Sequence, residues 1–292
     1  MSNATSTDAT AADVVSTDAT STAAAPSGTA AIRKAFKGGK AFIPFVTCGD
    51  PDLETTKAVV RALADAGADV IELGIPFSDP TAEGVVIQDA NLRALTGGVD
   101  TDQIFDMVRQ LRTGSDGGPA VQTPFAFMTY ANVVFHYGIE RFVNNAVEAG
   151  VNALILPDTA FEEKGEFADA CRAHGLAFIS LIAPTSDERI AQIAREADGF
   201  VYLVSSLGVT GTRSAITTDL DSIVAKIREA TDVPVAIGFG ISNPEQAANM
   251  AAKCDGAIVG SAIVKLIAQH GRDAAEPVRA FASQLAEAVH GA

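Results

Sequence analysis

From Ala41 to the C-terminus the chain repeats one pattern: a short continuous apolar run, a turn rich in Gly, Pro, Asp or Ser, then a stretch with the apolar spacing of an amphipathic helix. The apolar runs predict strands over 41–47, 69–74, 124–128, 152–156, 177–182, 199–204, 233–237 and 256–259. The stretches between them predict helices over 53–67, 101–113, 139–149, 161–174, 187–196, 220–230, 244–252 and 275–289, with a short extra helix after Gly260. Strands that are apolar throughout belong to a parallel sheet covered on both faces. Eight strand–helix units in series, with no break in composition after residue 31, point to the α/β class and a single-domain (β/α)8 TIM barrel over 32–292. An open sheet of nine elements is the alternative.

Residues 1–31 lack that pattern. They are almost all Ala, Thr, Ser and Asp, with STDAT at 6–10 and again at 16–20. Such a segment buries too little apolar area to offset the entropy of ordering it, so a disordered low-complexity tail is expected. Asp8, Asp13 and Asp18 precede the first basic residue, Arg33, which argues against a signal or transit peptide. Removal of residues 1–30 is expected to leave the fold intact.

Composition narrows the function classes. The apolar fraction of 48% supports a large core, yet no apolar run approaches the roughly 20 residues that cross a bilayer. A formal net charge of −15, with Lys and Arg scattered singly, repels nucleic acid. The three cysteines, Cys48, Cys171 and Cys254, are far apart and odd in number, and the four histidines share no metal-binding spacing. A reduced, cytoplasmic protein without a metal centre is expected.

In a barrel the chemistry sits on loops after the C-terminal ends of the strands, with phosphate frequently held after the seventh and eighth. Three loops there carry glycines: Gly208 to Gly211 after the sixth strand, Gly238 to Ser242 after the seventh, and Gly260-Ser261 after the eighth. Glycines let backbone N–H groups approach an anion, and a helix opening at Ser261 would direct its positive end there. A glycine at one such turn ordinarily just makes the turn. Three at adjacent strand ends favour a phosphate grip.

The second predicted strand holds Glu72 among apolar residues near its C-terminal end. Burial there raises a carboxyl pKa toward the range useful for proton transfer, the other reading being a salt-bridged acid at the barrel mouth. The loop that follows carries Asp79 and, beside Gly84, Glu83, either a solvated loop acid or one that reaches the substrate on loop closure. No Lys stands at the C-terminal end of any predicted strand, so a Schiff-base aldolase lacks its nucleophile. Acid–base chemistry remains.

The runs PFVTCGDPD (44–52), IELGIPFSDPTAEG (71–84), MTYANVVF (128–135), SSLGVTG (205–211), GFGIS (238–242) and GSAIVK (260–265) resemble the tryptophan synthase alpha subunit, in order and in spacing, from about Ile32 to the C-terminus. The resemblance implies a carbon–carbon lyase of tryptophan biosynthesis. It would cleave indole-3-glycerol phosphate to indole and D-glyceraldehyde 3-phosphate with no cofactor of its own, in an α2β2 heterotetramer whose beta subunit carries pyridoxal phosphate. Glu72 matches the catalytic glutamate. Glu83 stands where the family usually has a catalytic Asp, and Val85 where it usually has Pro. By the same matching Phe45, Met128, Tyr130, Tyr202 and Phe239 would line the indole pocket. Gly211, Gly240, Gly260 and Ser261 would hold phosphate, Thr210 would close over the site, and Pro76 and Asp79 would meet the beta subunit. A binding and regulatory subunit with little turnover, and an isomerase or epimerase of sugar phosphates, are the competing readings.

Overall fold

The computed structural model describes residues 27–184, 187–204, 219–238 and 240–292. Its strands are β1 Ala41–Thr47, β2 Ile71–Gly74, β3 Phe125–Met128, β4 Ala153–Ile155, β5 Ala177–Ile182, β6 Val201–Val204, β7 Val235–Gly238 and β8 Gly256–Val259. All pair in parallel with their sequence neighbours, and β1 closes on β8 through the register Ala41 to Gly256, so the sheet is a closed barrel. The open-sheet alternative is thereby excluded. Each predicted strand lies within two residues of the observed one.

The helices described are α1 Gly28–Ala35, α2 Leu53–Asp65, α3 Val85–Thr96, α4 Thr101–Thr113, α5 Ala131–Tyr137, α6 Ile139–Ala149, α7 Gly165–His174, α8 Asp187–Arg195, α9 Leu220–Ala230, α10 Pro244–Ala251, α11 Ser261–His270 and α12 Ala275–His290. Three of these were not predicted. α3 has no clean apolar stripe: Val85 is 69% exposed and Leu92 65%, while Ile87 and Ala90 are buried. α5 reads ANVVFHY, in which β-branched and aromatic residues favour a strand. α1 begins inside the expected tail. Ser27 caps it by accepting from the Ala30 amide at 3.3 Å, and the Gly28 amide donates to the Gly175 carbonyl at 2.7 Å. The ordered chain therefore starts before residue 32, and a deletion through residue 30 would cut into a helix. The tail as far as residue 26 lies outside the described residues.

Side chains alternate across each strand, and the alternation divides the core in two. Phe42, Ile71, Leu73, Phe125 and Phe127 face the helices in one large cluster. Ile43, Val70, Ala126, Ile155, Ile179, Phe200 and Ala236 fill the barrel interior with Ile32 of α1. Ile32 is fully buried, and Phe36, just after α1, packs on Phe200 with ring centroids 5.7 Å apart. α1 is thus a plug for the N-terminal end of the barrel. Truncating Ile32 to Ala should leave a cavity and cost about 2–4 kcal/mol, read as a lower urea midpoint.

The helix starts follow their caps. Asn243 caps α10 and Pro244 occupies its first turn, as the sequence suggests. For α2 the cap is Asp52, whose carboxylate accepts from the Thr55 amide at 2.8 Å. Asp50 is instead buried and paired with both Nε and Nη2 of Arg93, each at 2.8 Å, tying the β1–α2 loop to α3. Thr185 and Ser186, which precede α8 in sequence, lie outside the described residues.

Candidate active site

The site follows from the interior period of two. Phe45 stands two residues beyond Ile43 on β1, Glu72 two beyond Val70, Met128 two beyond Ala126, and Tyr202 two beyond Phe200. These four form the next interior layer toward the C-terminal ends, and the register sets Phe45 beside Glu72. With Glu83, Ile87, Gly240, Ile241, Ile258, Gly260 and Ser261 they line one hollow. Of the residues singled out in the sequence, eight converge there.

Two glycines make room for the aromatic walls. A Cβ on Gly74 would lie 2.5 Å from Phe45 Cζ, and one on Gly238 would lie 2.6 Å from the Tyr202 hydroxyl oxygen. Gly74 escaped notice because a glycine ending a strand reads as a turn. Ile87, Ile241 and Ile258 were also missed, being indistinguishable in sequence from ordinary core.

Glu72 is fully buried, and neither oxygen of its carboxylate has a hydrogen-bond partner among the described residues. Burial alone pushes its pKa up from 4.5 to about 8. The salt-bridged reading of this acid finds no support there: no cation faces it among the described residues. At neutral pH it holds a proton that it can donate.

Glu83 is 5% exposed and already turned into the hollow, so it is not the solvated loop acid that its neighbours in sequence allow. Burial raises its pKa to about 7, opposed by hydrogen bonds from the Tyr130 hydroxyl and the Asn91 amide, and reinforced by the charge of Asp158. The two acids therefore differ in environment. Among the described residues Glu72 has no partner and Glu83 has two, which separates a proton donor from a carboxylate that ionises more readily.

Tyr130 stands behind Glu83. Its ring stacks on Phe77 at 5.1 Å and its hydroxyl accepts from the Ala82 amide at 2.9 Å, so it braces the 75–84 loop. Pro76 is buried and Asp79 exposed, with Asp79 accepting from the Ser78 hydroxyl at 2.6 Å. Thr210, Gly211 and Phe239 lie outside the described residues.

Gly240, which also lines the hollow, takes a left-handed backbone with φ +78°. Gly260 precedes α11, and no side chain among the described residues caps that helix. Its first N–H groups, with the helix dipole behind them, suit an anion. A hollow with an apolar slot, a protonated acid at one wall and an anion-favouring helix start at another fits a flat aromatic substrate bearing phosphate.

The sequence model of the family described as "Tryptophan synthase alpha chain" matches residues 32–290. The chain belongs to the tryptophan synthase alpha chain family. It is 49% identical over 257 residues to the alpha chain of Lactiplantibacillus plantarum, covering 88% of this chain and 95% of that one. To the Lacticaseibacillus casei alpha chain it is 46% identical over 254 residues, covering 87% and 93%. Among solved structures, Mycobacterium tuberculosis tryptophan synthase superposes with a TM-score of 0.79 at 33% identity, covering 91% of this chain and 99% of that one. A tryptophan synthase complex from Pyrococcus furiosus gives 0.74 at 34%, covering 85% and 98%. The tryptophan synthase alpha chain is a lyase that cleaves indole-3-glycerol phosphate to indole and D-glyceraldehyde 3-phosphate in tryptophan biosynthesis. The family accounts for the IELGIPFSDP run, which a sugar-phosphate isomerase would not. Among the described residues no helix is long and apolar enough to cross a membrane, and no cluster of His, Cys, Asp and Glu could hold a metal ion.

Proposed function

We propose that Glu72 and Glu83 perform the family's retro-aldol cleavage in this chain by dividing acid and charge-stabilising work between them. The observation that carries the proposal is the fully buried Glu72 carboxyl, without a partner among the described residues, at the wall of the hollow that Glu83 shares. The indole ring lies between Phe45, Met128 and Tyr202, with Phe239 completing the slot, and the phosphate meets the backbone at Gly211, Gly240, Gly260 and Ser261. Glu72 gives its proton to the ring carbon that bears the glycerol phosphate chain. The positive charge spreads to the ring nitrogen, whose N–H donates to the Glu83 carboxylate. As the carbon–carbon bond breaks, its electron pair returns to the ring and neutralises it. The adjacent hydroxyl gives its proton to the Glu72 carboxylate left by the first step and becomes the aldehyde.

This division has a pH signature. Indole formation requires Glu83 ionised and Glu72 protonated, so kcat/KM should rise with a pKa of about 7 and fall with one of about 8. The test is to mix the chain with indole-3-glycerol phosphate across pH 5–10 and follow indole absorbance. A profile flat over that range would sink the assignment. The held position of Glu83 speaks for turnover rather than for a binding subunit alone.

The complex from Pyrococcus furiosus supports an assembly with a beta subunit, α2β2 in form, which would carry pyridoxal phosphate and receive the indole. Asp79, exposed on the loop after β2, and Pro76 beneath it belong to the surface proposed to meet that subunit. A cytoplasmic location is supported by three free, buried cysteines. The domain assignment proposed is one catalytic barrel preceded by a tail with no part in the site, Thr210 closing over bound substrate.

A further inference from the structure

Glu83 lies just outside α3, and α3 reaches back to it twice. The Gln88 side-chain amide donates to the Glu83 carbonyl at 2.8 Å, and the Asn91 side-chain amide lies 3.4 Å from Glu83 Oε2. Asn91 is 5% exposed in the middle of the helix, where Asn is a poorer helix former than Ala and a buried amide is costly without a partner. The single side-chain hydrogen bond of Asn91 among the described residues goes to Glu83. Nothing else there accounts for a buried amide at this position.

The helix that carries Asn91 is itself anchored. Arg93 grips the buried Asp50 with two nitrogens, and Ile87, Ala90 and Ala94 bury one face. A Glu has one more rotatable bond than the Asp usual at position 83, so holding its carboxylate in one place costs more side-chain entropy. We infer that Asn91 is the positioning residue for the second acid, holding the longer Glu83 carboxylate in the hollow from the fixed platform of α3. The Tyr130 hydroxyl holds the same carboxylate from the end of β3. The separation of 3.4 Å suits a contact that tightens when the substrate N–H loads the other side of the carboxylate.

This inference rests on the lyase reading above, and the experiment separates the two. The full chain, its Asn91→Ala variant, its Glu83→Ala variant and the double variant are assayed for indole release from indole-3-glycerol phosphate. Asn91→Leu, closer in volume, serves as a second probe of the same position. Asn91→Ala is expected to lower kcat about tenfold with KM within about twofold and to leave thermal stability unchanged or raised, since Ala is the better helix former. It should also move the acid limb of the pH profile upward by about one unit, because a donor to the charged form is lost. Besides Asn91, the groups that set that limb are Tyr130 and Asp158, and Glu72 and Tyr202 share the hollow with Glu83. On the Glu83→Ala background, Asn91→Ala should cause no further loss, the mark of a residue acting through Glu83. An undiminished loss on that background, or an acid limb that stays in place, overturns the inference while the lyase reading stands. No indole from the unsubstituted chain overturns both.

Discussion

Glu72→Gln is expected to reduce indole formation by at least about a thousandfold while making the protein more stable, by an amount that grows with pH. The loss follows from removing the proton donor. The gain follows from the state in which Glu72 is held: its folded pKa is about 8 against 4.5 for the free group, with no partner among the described residues to stabilise its charge. Below about pH 4.5 the acid is neutral in folded and unfolded chains alike, and it contributes nothing. Between about 4.5 and 8 the unfolded chain releases the proton and the folded chain keeps it, so stability declines as pH rises. Above 8 both are ionised and the penalty is complete, on the order of a few kcal/mol. Gln carries no charge and escapes that penalty. Melting temperatures of the two proteins should nearly coincide at pH 5 and differ by about 5–10 °C in favour of Glu72→Gln at pH 9. A variant equally stable at both pH values would show that the carboxyl is not desolvated, and retained turnover would show that it is not the donor.

Arg112→Met should lower stability by about 3–5 kcal/mol and leave the chemistry intact in whatever remains folded. Arg112 lies in the last turn of α4, beneath the barrel, and its guanidinium donates to the carbonyls of Val121, Thr123 and Gly150 at 2.7–3.0 Å and to Asn152 Oδ1 at 2.9 Å. It also lies 3.7 Å over the Phe125 ring. No carboxylate pairs with it among the described residues, and burial lowers its pKa to about 10. Carbonyl dipoles and an aromatic face take the place of a counter-ion. Met keeps the apolar stem but takes the donor from four acceptors at the starts of β3 and β4, of which Asn152 Oδ1 still accepts from the Phe125 amide. Lys can reach only some of them, so Arg112→Lys should fall between the two, at about 1–3 kcal/mol. Urea unfolding checks both values. A loss under 1 kcal/mol for Met would mean that water replaces the donor at little cost.

The barrel was legible because its strands are buried on both faces and so carry an uninterrupted apolar signal that 3.6-residue helices punctuate. What stayed hidden was structure without that contrast. α3 exposes Val85 and Leu92, so its apolar residues surround the helix instead of marking a face. Gly28–Ala35 merges into a tail of the same small residues, and only Ile32 and Phe36 reveal that it is held. Glu72 stood out in sequence as an acid in an apolar strand, and the structure supplies the rest: it has no partner among the described residues. Asn91 gave no signal, since the residue it serves is eight positions away and the contact depends on how the loop folds back onto α3. Charge in a strand can be read along the chain; positioning cannot.

The absence of side chains at Gly74 and Gly238 also sets the bore of the site. Phe45 and Tyr202 occupy the volumes where those side chains would be, which leaves the space between the rings free for a flat bicycle. A methyl group at either position would clash with an aromatic ring and force it to shift. The width of the slot thus depends on two glycines that do not line the hollow, and enlarging it would begin with the rings they shelter.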